Sequence, residues 1–170
     1  DPLLAACGRS ITGTRNRALL AVLFFSGVRT AEALALRPAD VKMNADGTAR
    51  LNVRSGKGGK QRHVTLAAPG VPDLASWLDM RGERVTEART APLFCTHASG
   101  DHMTPARPLD TGYVRAMLAR LAKRVDIGKR IHPHGFRHAH AIYPNAKGAV
   151  TGASIPQPMS IVSTRIAQTT

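Results

Sequence analysis

The chain has 170 residues, a size suited to one domain with its own core. Its hydrophobic content of 43% includes only 4% aromatic residues, so aliphatic side chains must form most of the interior. Lysine and arginine total 24 against 11 acidic residues, and the resulting charge of +13 favours a polyanionic partner and disfavours a cationic one. Nucleic acid is the first partner that this composition indicates, although a basic surface without a ligand would give the same counts.

No segment of the sequence indicates a membrane or secreted protein. The longest apolar run, from Ala18 to Phe25, is well below the ~20 residues that span a bilayer, and nothing resembles a signal peptide. Cys7 and Cys95 are too few and too far apart to predict a disulfide framework or a zinc site. We therefore expect a cytoplasmic protein that has no membrane contact and no bound metal.

Two helices are predicted in the first forty residues. Apolar residues at near-helical spacing predict the first, from Thr14 to Ser26, with Gly27 as its C-terminal cap. The second is predicted to begin at Thr30 and to end at Pro38. It carries Glu32 in its first turn, where the helix dipole favours a carboxylate.

A β-hairpin is predicted next. Ala49, Leu51 and Val53 alternate with polar residues, as on a half-buried strand that follows a turn at residues 44–47. The glycine- and lysine-rich segment 55–60 predicts the connecting turn, and Arg62 to Leu66 predicts the returning antiparallel strand.

The remainder is predicted to be helical up to residue 143. The expected helices run from Pro72 to Arg84, from Asp110 or Thr111 to about Asp126, and from about Pro133 to before Pro144. A short buried piece is expected at residues 93–95. Residues 144–170 contain no Leu, Asp or Glu, and their composition predicts a poorly folding tail. We expect a domain at residues 1–143 and an aberrant tail at residues 144–170.

Three separated segments carry side chains that suit a phosphate. In the first, a glycine turn precedes Arg29; in the second, a hairpin tip presents Lys57 on a glycine frame. In the third, His134 and Arg137 lie three residues apart on one face of a helix start. Arginine can donate a bidentate pair of hydrogen bonds to a phosphate. Each segment alone is more often a solvated surface, and only their order and spacing together indicate one site.

In these motifs the chain resembles the tyrosine recombinase (phage integrase) family over about residues 10–142. That family has an arginine in a G-[LV]-R-x-x-E turn, a lysine in a G-K-G-x-K-x-R hairpin and a His-x-x-Arg pair within H-x-[LF]-R-H. The matching residues are Arg29 with Glu32, Lys57 with Lys60 and Arg62, and His134 with Arg137 and His138. The resemblance implies an α+β catalytic domain that is mainly helical, with a small antiparallel β-sheet.

The resemblance also implies a reaction on double-stranded DNA that uses no cofactor. A tyrosine attacks the scissile phosphate, which leaves a 3′-phosphotyrosine link and a free 5′-hydroxyl. Arg29 and Arg137 would bind the non-bridging oxygens, whose charge grows in the transition state. Lys57 would protonate the departing 5′ oxygen, and His134 would assist proton transfer or hold the phosphate. Glu32 would orient an arginine rather than act as a base. His138 would support the site, and further DNA contacts are predicted from Lys60, Arg62, Arg115 and Lys123.

The sequence departs from the family at the nucleophile. The family's tyrosine follows a Leu-Gly-His stretch and lies well beyond the His-x-x-Arg pair, where this chain has Arg165 to Thr170 and no tyrosine. Tyr143 lies only six residues beyond Arg137, and Tyr113 is predicted to be a packing residue, so the nucleophile stays unassigned. A replaced or frame-shifted C-terminus is the expected reason. The family's N-terminal core-binding domain is also expected to be missing, which would weaken DNA binding.

Three functional interpretations stay open. The first is a recombinase catalytic domain that binds DNA but does not cleave it. The second is an active recombinase that uses an unrecognised tyrosine or one from a neighbouring subunit, since the family assembles as tetramers on paired DNA sites. The third is a basic nucleic-acid-binding module without recombinase activity.

Overall fold

The computed structural model of the protein describes residues 2–54, 61–85, 90–97 and 106–128. Within these ranges the helices are α1 (Pro2–Ala6), α2 (Ile11–Ser26), α3 (Thr30–Ala35), α4 (Val71–Arg84) and α5 (Thr111–Arg124). The strands are β1 (Val41–Met43), β2 (Ala49–Val53) and β3 (Arg62–Leu66). The predicted α+β fold, mainly helical with a small antiparallel sheet, is confirmed. The predicted hairpin tip, the helix near Pro133 and the tail lie outside the described residues.

Helix α2 forms the centre of the core. Each of its residues from Ala18 to Leu23 is at most 1% exposed. Because these side chains point in all directions around the helix axis, α2 is covered on every side rather than along one stripe. Ser10 caps its start by accepting a hydrogen bond from the backbone N–H of Gly13, so the helix begins earlier than the predicted Thr14.

The sheet is antiparallel throughout, in the order β1-β2-β3. Ala49 lies opposite Leu66, and Val53 lies opposite Arg62. Side chains alternate between the two faces of a strand, so Arg62 shares the inner face with Val64 and Leu66. Arg62 therefore lies at the point where the buried face of the sheet ends.

The structure differs from the predictions mainly at element ends. Helix α3 ends at Ala35 rather than at Pro38, because the proline begins a separate 3-10 turn. Asp110, not Thr111, caps α5 by accepting a hydrogen bond from the backbone N–H of Tyr113. Helix α1 and strand β1 were not predicted, since five and three residues are too short to show periodicity.

A buried polar network joins α2 to α5 and to the segment at residues 90–97. Arg15, only 4% exposed, donates from Nη1 to the carbonyl oxygen of Cys95 at 2.9 Å and from Nη2 to the hydroxyl of Tyr113. The guanidinium also lies 4.9 Å from the centre of the Tyr113 ring. Tyr113 donates in turn to Asn16 Oδ1 at 2.9 Å. The network fixes the start of α5 against the central helix.

None of the described helices combines the length and the apolar character needed to cross a membrane.

Candidate active site

A fixed turn between α2 and α3 sets the position of Arg29. Gly27 ends α2 with a φ of 64°, a conformation that a residue with a Cβ adopts at a cost. The Ser26 hydroxyl donates to the carbonyl oxygen of Val22 at 2.5 Å, and Val28 is 3% exposed. Arg29 then occupies the N-cap position of α3 with 41% of its side chain exposed. The turn therefore holds the backbone of Arg29 while its guanidinium stays accessible.

Glu32 binds two arginines through one carboxylate. Its Oε1 accepts hydrogen bonds from Nη1 of Arg29 and Nη1 of Arg62, each at 2.9 Å. Its Oε2 accepts from the backbone N–H of Arg29 at 2.9 Å and from Nη2 of Arg62 at 2.7 Å. A carboxylate offers about four lone-pair sites. All of them are therefore filled, with two positive charges set against one negative charge.

These contacts keep Glu32 ionised. Burial of its side chain, which is 6% exposed, would by itself raise the pKa of the carboxyl. Hydrogen bonds from Arg62 and from the backbone and side chain of Arg29 outweigh that effect and lower the pKa from 4.5 to about 2. A carboxylate with this pKa and no open lone pair is unsuited to act as a base.

Arg29 and Arg62 differ in how many donors they retain. Arg62 uses both terminal nitrogens on Glu32, in the bidentate arrangement typical of a strong arginine–carboxylate pair. Arg29 uses only Nη1, and among the described residues its Nε and Nη2 have no hydrogen-bond partner. Arg29 therefore keeps two nitrogens free of Glu32 and Arg62 keeps one, so Arg29 is the better placed of the two to offer a fork of donors to an anion.

The two ends of segment 55–60 are held by separate contacts. At the β2 end, Nε of Arg54 donates to Oδ1 of Asp40 at 2.6 Å, and the Asp40 side chain is only 1% exposed. At the β3 end, Gln61 donates to Oδ1 of Asn52 at 2.7 Å. Arg62 adds its contact to Glu32 one residue further on. The base of the hairpin that carries Lys57 is therefore tied to the Arg29 turn through Glu32.

The predicted site residues fall into three groups. Arg29, Glu32 and Arg62 come together in one cluster, which we call the Glu32 cluster. Arg115 and Lys123 are exposed on α5. The other predicted residues lie outside the described part of the chain: Lys57, Lys60, His134, Arg137 and His138.

Sequence reasoning missed that Arg62 turns inward. The signal was present, because Arg62, Val64 and Leu66 alternate with polar residues and must share one face of a strand. The link between Arg54 and Asp40 gave no local signal, since the two residues are fourteen positions apart and the turn between β1 and β2 separates them.

In the ranges that the structure describes, no three His, Cys, Asp or Glu side chains are arranged to hold a metal ion.

Comparison with known proteins agrees with the motifs. The model of the phage integrase family matches residues 1–149. The tyrosine recombinase XerD of Ralstonia nicotianae is 34% identical over 137 residues, which cover 81% of this chain and 42% of that protein. The crystal structure of XerA recombinase superposes with a TM-score of 0.64 and 34% identity, over 82% of this chain and 45% of that one. The XerH site-specific recombinase bound to palindromic difH substrate, in a post-cleavage complex, gives a TM-score of 0.62 and 26% identity, over 82% and 38%.

The chain thus spans less than half the length of each of these relatives. Within the matched residues lie the Arg29 turn and the hairpin whose base contacts it through Glu32. The resemblance predicted from the motifs is confirmed: the chain belongs to the phage integrase family of tyrosine recombinases and matches its catalytic domain.

Proposed function

We propose that the chain acts on double-stranded DNA as the catalytic domain of a site-specific tyrosine recombinase. The observation that carries this proposal is the state of Arg29. Its side chain is 41% exposed, and its guanidinium contacts Glu32 through one nitrogen while Nε and Nη2 have no hydrogen-bond partner among the described residues. A braced arginine with spare donors suits a phosphodiester, whose oxygens gain negative charge during attack. Removing one such donor from a site typically costs about 3 kcal/mol of transition-state stabilisation.

Within this proposal the other cations have defined roles. Arg137 binds the phosphate with Arg29, and the two together neutralise the non-bridging oxygens. Lys57 protonates the departing 5′ oxygen from a hairpin whose two ends are held by hydrogen bonds. His134 assists proton transfer or holds the phosphate. Assembly as a tetramer on paired DNA sites is part of the same proposal.

We further propose that this chain by itself binds DNA without cleaving it, so that the roles given to Lys57 and His134 in cleavage apply only when a neighbouring subunit supplies the tyrosine. The sequence contains two tyrosines, Tyr113 and Tyr143. The hydroxyl of Tyr113 is hydrogen-bonded to Asn16 and Arg15 on a half-buried side chain, so it is engaged in packing and not available for attack. Tyr143 lies only six residues beyond Arg137, far earlier than the family's nucleophile.

A salt titration of DNA binding tests the partner. Cations that contact phosphates release counterions, so about six such contacts predict that log affinity falls against log salt with a slope near −5. Binding to a labelled duplex, measured by fluorescence anisotropy at several salt concentrations, gives this slope. A slope near zero would show that the chain does not bind the phosphates of DNA.

A nicked duplex substrate tests cleavage. The nick lets the cleaved end diffuse away and traps any covalent protein–DNA adduct. We expect salt-dependent binding and no adduct on a denaturing gel. An adduct that disappears in Tyr143→Phe would overturn the proposal that this chain only binds.

One pair of variants distinguishes the proposal from the alternative, which is a basic module without a recombinase site. Arg29→Ala should weaken binding to the duplex more than Arg9→Ala does, because Arg9 is an exposed arginine outside the Glu32 cluster. Equal effects of the two variants favour the alternative.

A further inference from the structure

Arg62 lies where the Lys57 hairpin meets the Arg29 turn. It is the first residue of β3 and follows segment 55–60 by one residue. Its guanidinium reaches across thirty residues of sequence to Glu32 and forms a bidentate pair at 2.9 and 2.7 Å. The hairpin and the turn are thereby joined at a single carboxylate.

Arg62 has fewer nitrogens free of Glu32 than Arg29 has. Both terminal nitrogens bind Glu32, and the side chain is 35% exposed against 41% for Arg29. A phosphate contact through Nη1 and Nη2 would compete with this pair, and loss of the pair would leave the buried carboxylate with fewer donors. Phosphate binding through the two nitrogens of Arg62 that hold Glu32 is therefore disfavoured.

We propose that Arg62 is a positioning residue that keeps Arg29 available and ties the start of β3 to the Arg29 turn, rather than a DNA ligand. By filling one lone pair on each oxygen of Glu32, Arg62 limits Arg29 to one side-chain contact. Without Arg62, those acceptor sites would draw Nη2 or Nε of Arg29 onto Glu32 in its own bidentate pair. The same loss would free the β3 end of the hairpin.

The inference rests on the proposed function for its DNA readout, but its protease readout does not. The full chain is compared with Arg62→Gln, Arg62→Lys, Arg29→Gln and the double variant Arg62→Gln/Arg29→Gln. Arg50→Gln is the matched control, since Arg50 is exposed on the opposite face of the same sheet, across from Thr65. Each variant is first checked for cooperative unfolding.

The DNA readout is affinity for a duplex across a salt series. We expect Arg62→Gln and Arg29→Gln each to weaken binding about five- to tenfold, and the double variant to be about as weak as either alone, since both remove the contribution of Arg29. The salt slope of the double variant should fall by about 0.9, one phosphate contact, and not by about 1.8. Additive losses in affinity and slope would show that Arg62 binds a phosphate itself.

Arg62→Lys separates charge from geometry. Lysine keeps the charge but cannot form the planar fork that matches a carboxylate. We expect Arg62→Lys to lose most of the affinity that Arg62→Gln loses, whereas retention of near wild-type affinity would overturn the positioning role. This variant also keeps the test open if Arg62→Gln does not fold.

The protease readout needs no DNA. Trypsin should cleave after Lys57 and Lys60 several-fold faster in Arg62→Gln than in wild type, with no change in Arg50→Gln. Equal cleavage rates would contradict the inference. If the wild-type chain does not bind DNA but is cleaved more slowly than Arg62→Gln, the proposed function is contradicted and the positioning role of Arg62 is still supported.

Discussion

Arg15 lies in α2 and Arg29 lies in the turn that follows it, but the two residues use their guanidinium groups in opposite ways. Arg15 is 4% exposed and donates through Nε, Nη1 and Nη2 to oxygens of its own chain. Arg29 has 41% of its side chain exposed and donates through Nη1 alone. The buried arginine holds helices together, whereas the braced and exposed one keeps donors for a ligand. The number of unused donors, more than the residue type, distinguishes a structural arginine from a candidate site residue.

The largest expected effect comes from breaking the buried network. Arg15→Met places an apolar side chain of similar length there, leaves the carbonyl of Cys95 without its Arg15 donor and removes one donor each from Asn16 and Tyr113. Buried polar groups that lose a partner each cost about 1–3 kcal/mol. We expect the free energy of unfolding to fall by about 3–4 kcal/mol in urea denaturation.

The matched control is the same substitution at the exposed arginine. Arg29→Met should cost less than about 1 kcal/mol of unfolding free energy, because Glu32 keeps its bidentate pair with Arg62. If Arg29→Met destabilised the fold more than Arg15→Met, the division between structural and ligand-binding arginines would be wrong.

Much of the fold could be predicted because local patterns carry it. The alternation of Ala49, Leu51 and Val53 gave strand β2, and all three side chains are at most 2% exposed. Strand β3 runs from Arg62 to Leu66 as predicted. These elements depend on neighbours within a few residues, which a sequence displays directly.

The contact of Arg29 with Glu32 is local, but the other contacts that define the site are not, and the sequence did not reveal them. Arg62 matched the family's hairpin motif and was predicted to contact DNA. The motif and the positive charge do not show whether its partner is a phosphate or a carboxylate of the same chain. Its pair with Glu32 depends on the register of the hairpin and on the packing of α3 against β2. The Arg15–Tyr113 contact likewise joins residues 98 positions apart. Such pairs become visible only when the elements are assembled.

The second-largest effect is on the free energy of unfolding at low pH, and it tests whether the two arginines keep Glu32 ionised. Folding lowers the pKa of Glu32 from 4.5 to about 2, so its stabilisation is fully present above about pH 4.5 and is lost as the pH falls toward 2. A shift of this size corresponds to about 3 kcal/mol. We expect the difference in unfolding free energy between wild type and Glu32→Gln to shrink by about that amount over this pH range.

Chemical denaturation at several pH values measures this difference. Taking the difference between the two proteins removes the contribution of the other acidic residues, which titrate in both. A gap that stayed constant from neutral pH to about pH 2 would mean that the two arginines do not hold Glu32 ionised.

The third effect is on DNA binding. Here the substitution of Arg29 should have the larger effect, whereas for stability the substitution of Arg15 should. Arg29→Met should weaken binding to a duplex about tenfold, a change of about 1.4 kcal/mol, and lower the salt slope by about 0.9. Arg15→Met, measured well below its unfolding transition, should leave the slope unchanged. If both variants altered the slope equally, the guanidinium of Arg29 would have no special access to phosphate.

The smallest effect concerns the exposed face of α5, where Arg115 and Lys123 are predicted to contact DNA. Both are exposed, so Arg115→Gln and Lys123→Gln should change the unfolding free energy by less than about 0.5 kcal/mol. If each side chain neutralises one phosphate, each variant should nevertheless lower the salt slope by about 0.9. Arg9→Gln removes the same charge from an exposed residue between α1 and α2. It controls for the effect of the protein's net positive charge on DNA binding. The same slope change in all three variants would mean that α5 presents a solvated basic face, and that specific phosphate contacts are confined to the side of the molecule that holds Arg29.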